Sequence, residues 1–368
     1  MADYKNQHFV PKCLLRQFSP DEAKRSLNVF NIRSERLIKG ASLKSQASSS
    51  YMYGKDLTLE HLLGKIEGTF DLVLKDIAAG TIVAEDELEQ VRFFMYLQFR
   101  RTEMAVKRLK HAWDSMEAKA FGDEGGAPPR PTAYELTIQS LRLCMQTQES
   151  ITDLKLRLVN NESRVDFLIS DDPVIFANRY ATQRLDKTGF GVVSSGVVFL
   201  MPLTPRYAVI CYDNQTYTAP DLVDGRLIVR RDEDANAINE FQFLKAAENV
   251  YFKDWDTRQQ IVDEFAKYKH GRREDWSEIT VLVPDDDGKD GAMRNEDGKL
   301  QNYRIGTREE GRAAGSALLK MSFVYPVPSR WFPQLKYRTK PKTFYNGTGV
   351  GHVRKEEWLF AVRACETN

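Results

Sequence analysis

The residues of this 368-residue chain best suited to chemistry are two aspartates in the stretch FLISDDPVI. An apolar run leads directly into Ser170, Asp171 and Asp172, and Pro173 favours an extended Asp172. Paired carboxylates at the end of a strand hold Mg²⁺ in many hydrolases, because this ion prefers carboxylate oxygens and water. The same residues also suit an Asx turn that ends a strand. The sequence therefore leaves two roles open for these aspartates, a metal site and a turn.

A buried amide and a guanidinium are predicted on a single long helix that runs from about residue 85 to residue 121. Helical periodicity places Gln98 near the middle of the core-facing stripe and Arg101 at its border. Both need partners, because an unpaired buried polar group costs a few kcal/mol. The two residues form either a structural hydrogen-bond network or a pocket for an anionic group, which Arg101 would bind.

Two further candidates precede this helix. Glu60 and Glu67 lie seven residues apart at the edge of an apolar stripe, and the rise between them is about 10 Å, too far for direct binding to one metal ion. His8 lies in the opening stretch QHFVPKCLLRQF, which is amphipathic and is expected to dock against the body. It can act as an acid, a base or a metal ligand near neutral pH, or it can be a packed structural residue.

The composition excludes several classes of protein. A net charge of +1 gives no overall field directed at nucleic acid or a membrane. The four cysteines are widely spaced, which indicates thiols in a reducing cytosol rather than a disulfide framework or a zinc site. No signal peptide and no apolar run of membrane-spanning length are present, so we expect a cytoplasmic protein without a membrane partner.

A basic, aromatic stretch lies near the C-terminus. Residues 330–355 contain seven Lys or Arg, five aromatic residues and no acid. Cations alternating with aromatic rings suit single-stranded nucleic acid, although lysines also protect an edge strand from aggregation. The candidate nucleic-acid contacts are Arg330, Trp331, Lys336, Tyr337, Arg338, Lys340, Lys342 and Tyr345.

The hydrophobic patterns predict an α+β fold, with a helical N-terminal portion, a short β-hairpin, and then a mixed sheet with flanking helices. Residues 1–121 would hold the N-terminal segment, the hairpin and two long helices. Residues 122–131, rich in Gly and Pro, form a linker. Residues 132–276 would add a helix capped by Thr132 and the mixed α/β portion, and 277–368 a strand-rich extension.

Several short motifs together resemble the bacterial family labelled domain of unknown function 4238. They are HFVPKCLLRQF, the helix with Glu60 and Glu67, QFRRT, ISDDPV, MPLTPR and INEFQFLKAAENVYF, over roughly residues 5–255. The resemblance implies an intracellular, mostly bacterial protein, and it carries no established activity. It does not extend to the part after about residue 277.

Together these residues predict one polar pocket, lined by His8, Glu67, Gln98, Arg101, Asp171 and Asp172. An enzyme built on it would be a metal-dependent nuclease or phosphodiesterase that acts on nucleic acid or a nucleotide. Mg²⁺ or Mn²⁺ would be bound by Glu67, Asp171 and Asp172. The catalytic residues would be His8 as acid or base and Gln98 and Arg101 at the phosphate.

Such an enzyme would suit a toxin or a phage-defence effector. Two other functions remain open from the sequence. The polar residues could be a structural network in a non-enzymatic protein that binds nucleic acid or a protein partner. The protein could also be a sensor that binds a nucleotide without turning it over.

Overall fold

The computed structural model describes residues 5–81, 83–120, 129–187, 189–294, 299–315, 317–345 and 352–359. Most of the linker predicted at 122–131 lies outside these ranges. The α-helices in the described residues are α1 (Lys12–Leu15), α2 (Thr58–Ala78), α3 (Glu85–Arg101), α4 (Glu103–Ala120), α5 (Ala133–Thr147), α6 (Arg179–Arg184), α7 (Asp232–Lys245), α8 (Arg258–Tyr268) and α9 (Arg308–Ala313).

The strands follow the same order along the chain. They are β1 (Asn6–His8), β2 (Ser26–Asn31), β3 (Arg36–Ser42), β4 (Ser48–Ser50), β5 (Lys155–Asn161), β6 (Ile169–Ser170), β7 (Ile175–Asn178), β8 (Val197–Pro202), β9 (Tyr207–Tyr212), β10 (Tyr217–Thr218), β11 (Leu222–Val223), β12 (Arg226–Val229), β13 (Asn249–Phe252), β14 (Ser277–Pro284), β15 (Gly291–Arg294), β16 (Leu300–Ile305), β17 (Leu318–Phe323), β18 (Lys336–Tyr337), β19 (Phe344–Tyr345) and β20 (His352–Val353). The α+β prediction is confirmed.

Local sequence explains the buried face of α2 and the start of α5. Apolar residues at helical spacing bury one face of α2, and Thr132 caps α5 by accepting the N–H of Glu135. The prediction of one helix from 85 to 121 is wrong, because α3 and α4 are separated by an extended Thr102. The Thr102 hydroxyl accepts the N–H of Ala105 and so caps α4.

A six-stranded mixed sheet forms the centre, in the order β11-β12-β5-β9-β8-β7. β5 and β12 run parallel, and the other pairs in this sheet are antiparallel. Successive side chains alternate between its faces. Leu158 and Val209 therefore join a core with α2 and α3, whereas Val159 and Ile210 join a second core with α7.

A four-stranded antiparallel sheet, β3-β2-β13-β6, lies beside these layers. Its Phe30 and Phe252 form a third core with Phe243 of α7 and Phe265 of α8. A second four-stranded sheet, β15-β16-β14-β17, belongs to the C-terminal extension. No helix of the described residues has the length and apolar character needed to cross a membrane.

The C-terminal residues are built into the same cores as the rest of the chain. Tyr325 is buried in the first core and Leu335 in the second. β18 pairs with β10, and β20 pairs with β19. The extension is therefore packed against the body along much of its described length.

Candidate functional site

The N-terminal segment carries His8 into the interior, where its side chain is 7% exposed. β1 pairs with β4, and the Gln7 side chain accepts the N–H of Tyr53 (2.6 Å) and donates to the Gly54 carbonyl (2.9 Å). Pro11 ends the extended segment at the N-cap of α1, whose apolar side chains are buried. The structure confirms the prediction that the opening stretch docks against the body of the protein.

Arg101 is the centre of a hydrogen-bond network beside His8. Its Nη2 donates to the His8 carbonyl (2.8 Å) and to Glu67 Oε1 on α2 (2.7 Å). Its Nε donates to the Tyr53 hydroxyl (3.2 Å), which in turn donates to the Arg101 carbonyl (3.3 Å). Arg101 therefore connects the N-terminal segment to α2 and α3.

Gln98 lies one turn earlier on α3 and donates from Nε2 to the Phe9 carbonyl (2.7 Å). We call His8, Gln98 and Arg101 the His8 cluster. Four of its buried atoms have no hydrogen-bond partner among the described residues, namely His8 Nδ1 and Nε2, Gln98 Oε1 and Arg101 Nη1. Each such group costs roughly 1–3 kcal/mol, so the protein satisfies the polar atoms of this cluster only in part.

The His8 imidazole is neutral at pH 7. Burial lowers its pKa to about 4, and the positive charges of Lys12 and Arg101 act in the same direction. Burial and the Glu67 carboxylate raise the pKa of the nearby Cys13 thiol to about 12, so this cysteine is a poor nucleophile. In this cluster, His8 is the residue that can accept a proton.

Stability should depend on pH through His8. Its pKa is lowered from 6.5 to about 4 on folding, so the unfolded chain binds the proton more readily between these values. The contribution of His8 to the free energy of unfolding is fully present above pH 6.5, and it should fall by about 3 kcal/mol as the pH drops to 4.

Urea unfolding measured across this pH range should show a flatter dependence of stability on pH for His8→Gln than for the wild type. An exposed control, His270→Gln, should keep the wild-type profile; equal profiles for all three would contradict the prediction.

Asp172 forms a second, fully buried network. Its Oδ1 accepts a hydrogen bond from the Thr102 hydroxyl (2.8 Å). Its Oδ2 accepts a hydrogen bond from Arg108 Nη1 (2.8 Å) and lies 3.3 Å from Lys245 Nζ. Lys245 also donates to the Val174 carbonyl. Burial alone raises the pKa of Asp172, but Arg108 and Lys245 outweigh it and hold the pKa below its ordinary value.

Asp171 serves a different part of the fold. Its carboxylate accepts the backbone N–H groups of Ala247 (2.7 Å), Glu248 (2.8 Å) and Asn249 (2.8 Å), at the turn from α7 into β13. Burial raises its pKa to about 7, although the three N–H donors act in the opposite direction. Asp171 therefore fixes the turn from α7 into β13, which is distant in sequence, and not a local Asx turn at the end of its own strand.

The structure does not gather Glu67, Asp171 and Asp172 into one ligand set. Glu67 pairs with Arg101, Asp171 with backbone amides, and Asp172 with two cations. Within the described ranges, no group of three or more His, Cys, Asp or Glu side chains is placed to hold a metal ion. The Mg²⁺ or Mn²⁺ site stays a prediction from the sequence.

The basic C-terminal stretch is largely engaged with the body. Arg330 Nη2 donates to Asp234 (2.7 Å), and the Tyr337 ring stacks on Tyr217 with centroids 5.5 Å apart. Other predicted nucleic-acid contacts that meet the body are Trp331, Lys336 and Arg338. The remaining predicted nucleic-acid contacts, which are exposed, are Lys340, Lys342 and Tyr345. Binding of nucleic acid here stays a prediction, and residues 346–351 lie outside the described ranges.

A cleft of about 730 Å³ was not predicted from the sequence. It lies where the end of the N-terminal segment meets the loop between β8 and β9 and the residues after β13. Two cations, two carboxylates and two aromatic rings line it, namely Arg206, Lys253, Asp166, Asp254, Tyr207 and Trp255. The volume is in the range of small-molecule sites.

Local hydrogen bonds hold the cleft walls in place. The Thr204 hydroxyl accepts the N–H groups of Arg206 (3.0 Å) and Tyr207 (2.9 Å), which makes the β8–β9 connection a tight turn. The Lys253 carbonyl accepts Asn28 Nδ2 (2.9 Å) from β2. The backbone that presents the two cations is therefore fixed, while their side chains are exposed.

Asp166 lies between these cations. Its Oδ1 is 2.7 Å from Arg206 Nη2, and its carbonyl accepts Asn239 Nδ2 (2.9 Å) from α7. Burial raises the pKa of Asp166, against the opposite action of Arg206 and Lys253.

The sequence did not indicate Tyr53 as a partner of Arg101, or Arg108 and Lys245 as partners of Asp172. One signal was available for Lys245: α7 reads AINEFQFLK, and a lysine among apolar residues on a helix buried on most sides needs an anion. Tyr53 and Arg108 had no comparable signal. Their roles follow from contacts over 48 and 64 residues of chain.

The fold and these sites define an α+β protein that carries the His8 cluster, the Asp172 network and an open polar cleft. The chain belongs to the family described as "Protein of unknown function (DUF4238)", whose model matches residues 6–256. The match confirms the resemblance, and it contains the His8 cluster, the Asp172 network and the cleft. No curated protein and no solved structure matches the chain.

Proposed function

We propose that the protein binds a nucleotide, or another small phosphate ester of similar size, in the cleft around Arg206 and Lys253. The observation that carries the proposal is the combination in one cleft of about 730 Å³ of two cations, two carboxylates and aromatic walls. This is one of the functions left open by the sequence, a nucleotide-binding protein, at a place that the sequence did not indicate.

The cations supply the phosphate-binding part. Lys253 is exposed at the cleft, and Arg206 is 46% exposed while its Nη1 donates to the Ser163 carbonyl (2.5 Å). Its guanidinium is therefore held in position before a ligand arrives. A phosphate between these groups would form charge-assisted hydrogen bonds, which are about twice as strong as neutral ones.

The other lining residues suit the sugar and base. Asp166 and Asp254 offer carboxylate oxygens to hydroxyl or amino groups. Trp255 stacks on Phe252 with centroids 6.0 Å apart and forms an apolar wall, and Tyr207 lies at the other side of the β8–β9 turn. A ligand with one anionic end and one flat polar end matches this distribution.

Binding is favoured over metal-dependent hydrolysis, because each predicted metal ligand already has a protein partner. The nuclease function, and with it a toxin or phage-defence role, stays a prediction. We also propose a cytoplasmic location, which agrees with three buried unpaired cysteines in the described residues.

The test is calorimetric titration of the purified protein with nucleoside mono-, di- and triphosphates and cyclic nucleotides. We expect binding that weakens as salt concentration rises. Lys253→Gln and Arg206→Gln should each weaken it on the order of tenfold to a hundredfold, because each removes a charged hydrogen bond worth about 1.5–3 kcal/mol.

The matched control is Lys110→Gln, which removes an exposed lysine of α4 that pairs with Asp114 away from the cleft. It should bind like the wild type. Absence of binding for every nucleotide, or equal weakening by all three variants, would overturn the proposal. Release of product during the titration would add hydrolysis to binding.

A further inference from the structure

A small cavity lies between α3, α4, α5 and the chain that follows β17. It has about 20 Å³ of space for the centre of a water-sized particle. Phe99, Arg100, Arg108, Ser140 and Tyr325 contribute to its wall. A single water-sized particle needs roughly 10–15 Å³ by this measure, so the cavity fits one small particle and excludes a phosphate ester.

Two arginines of the cavity wall, the half-buried Arg100 and the buried Arg108, each have a buried N–H group without a partner in the described part of the chain. These atoms are Arg100 Nε and Arg108 Nη2. Arg108 is 4% exposed, and its Nη1 is bound to Asp172. The Arg100 guanidinium donates from Nη2 to the Tyr96 hydroxyl, which is a weak contact at 3.3 Å.

The charge around the cavity is unbalanced. Arg100, Arg108 and Lys245 all lie over the Phe99 ring, with their charged ends 5.1, 5.6 and 5.9 Å from its centroid. Within the described residues, Asp172 is the carboxylate that forms ion pairs with members of this group. Three cations and one carboxylate leave two positive charges in excess, and burial of unpaired charge is costly.

We propose that this cavity binds one small monovalent anion of chloride size. The anion would accept hydrogen bonds from Arg100 Nε and Arg108 Nη2 and offset part of the excess charge. A water molecule could satisfy the N–H groups but would leave the charge unchanged. The site is separate from the nucleotide cleft and does not depend on the function proposed for it.

The site also links two parts of the chain. Arg100 and Arg108 lie in the part matched by the family, whereas Tyr325 lies beyond it. Tyr325 is 5% exposed, and its ring centroid is 6.4 Å from that of Phe99. Anion binding should therefore favour the docked position of the C-terminal extension.

The test compares urea unfolding of the full chain in sodium chloride and sodium gluconate at equal ionic strength. The wild type should be more stable in chloride, and a chloride concentration of about 100 times the dissociation constant should raise the folding equilibrium constant about 100-fold. Arg100→Met should lose this dependence. Arg142→Met, which removes an exposed arginine of α5, should keep it.

A second readout does not depend on any variant. Crystals of the wild-type protein soaked in bromide should give an anomalous peak between Arg100 and Arg108. The proposal would be overturned if the urea-unfolding midpoints were equal in sodium chloride and sodium gluconate and the crystals showed no bromide peak. A chloride effect that Arg100→Met leaves unchanged would overturn it as well.

Discussion

Replacing Asp172 by alanine is expected to lower the free energy of unfolding by about 3–5 kcal/mol, the usual cost of removing one partner from a buried ion pair. Arg108 and Lys245 are 4% and 1% exposed, and both ion pairs depend on this one carboxylate. The variant would also leave the Thr102 hydroxyl without its acceptor. Two buried cations would then repel each other without a counter-charge.

Urea unfolding followed by circular dichroism would measure the change. The matched control is Asp221→Ala, which removes a carboxylate from a pair with Lys336 that is exposed on both sides. Surface pairs contribute little, so its midpoint should stay close to that of the wild type. Equal effects of the two variants would mean that Asp172 does not hold the buried cations in solution.

The same variant distinguishes a structural network from a metal site. Carboxylates arranged for a metal ion repel one another when it is absent, so removal of one should raise the melting temperature in metal-free buffer. The contacts of Asp172 predict the reverse, with a lower melting temperature at any concentration of Mg²⁺ or Mn²⁺. Asp171→Ala should also destabilise, because three backbone N–H groups lose their acceptor.

Local signals in the sequence predicted local structure well. The β2–β3 hairpin, the stripe of α2 and the Thr132 cap each depend on residues close together in the chain. The break at Thr102 had no such signal, because its hydroxyl is held by Asp172, 70 residues away. Strand β13 also had no such signal, because its partners β2 and β6 are both distant in sequence.

The candidate site shows the same division. Periodicity placed Gln98 in the core-facing stripe and Arg101 at its border, and both side chains are buried. Periodicity could not show which carboxylate each cation meets, so Glu67 was assigned to a metal although it pairs with Arg101. The cleft escaped prediction because its lining comes from separate loops, where exposed Arg206 and Lys253 have no periodic pattern.

Replacing Arg354 by alanine should release the end of the C-terminal extension. Arg354 is fully buried. Its Nε and Nη2 donate hydrogen bonds to the Asp153 carboxylate (2.9 and 3.1 Å). Its guanidinium also donates hydrogen bonds to the carbonyls of Ser150, Val192 and Ser194. Loss of this bidentate, buried pair should cost about 3–5 kcal/mol. The cost should fall on docking of residues 352–359 rather than on the central sheet, because the two-residue strand β20 pairs with β19 and meets the body at the bridge between Val353 and Ser194, outside that sheet.

Hydrogen exchange and limited proteolysis would measure this local release. Arg354→Ala should lose protection at β20 and be cleaved faster near it, while the amides of β8 and β9 keep wild-type protection. Arg354→Lys should also lose protection, because lysine keeps the charge but cannot form the bidentate contact with Asp153. The control Lys355→Ala removes a cation that pairs with the exposed Glu357 and should behave as the wild type. Uniform loss of protection across the six-stranded sheet would show instead that the extension is required for the fold of the whole chain.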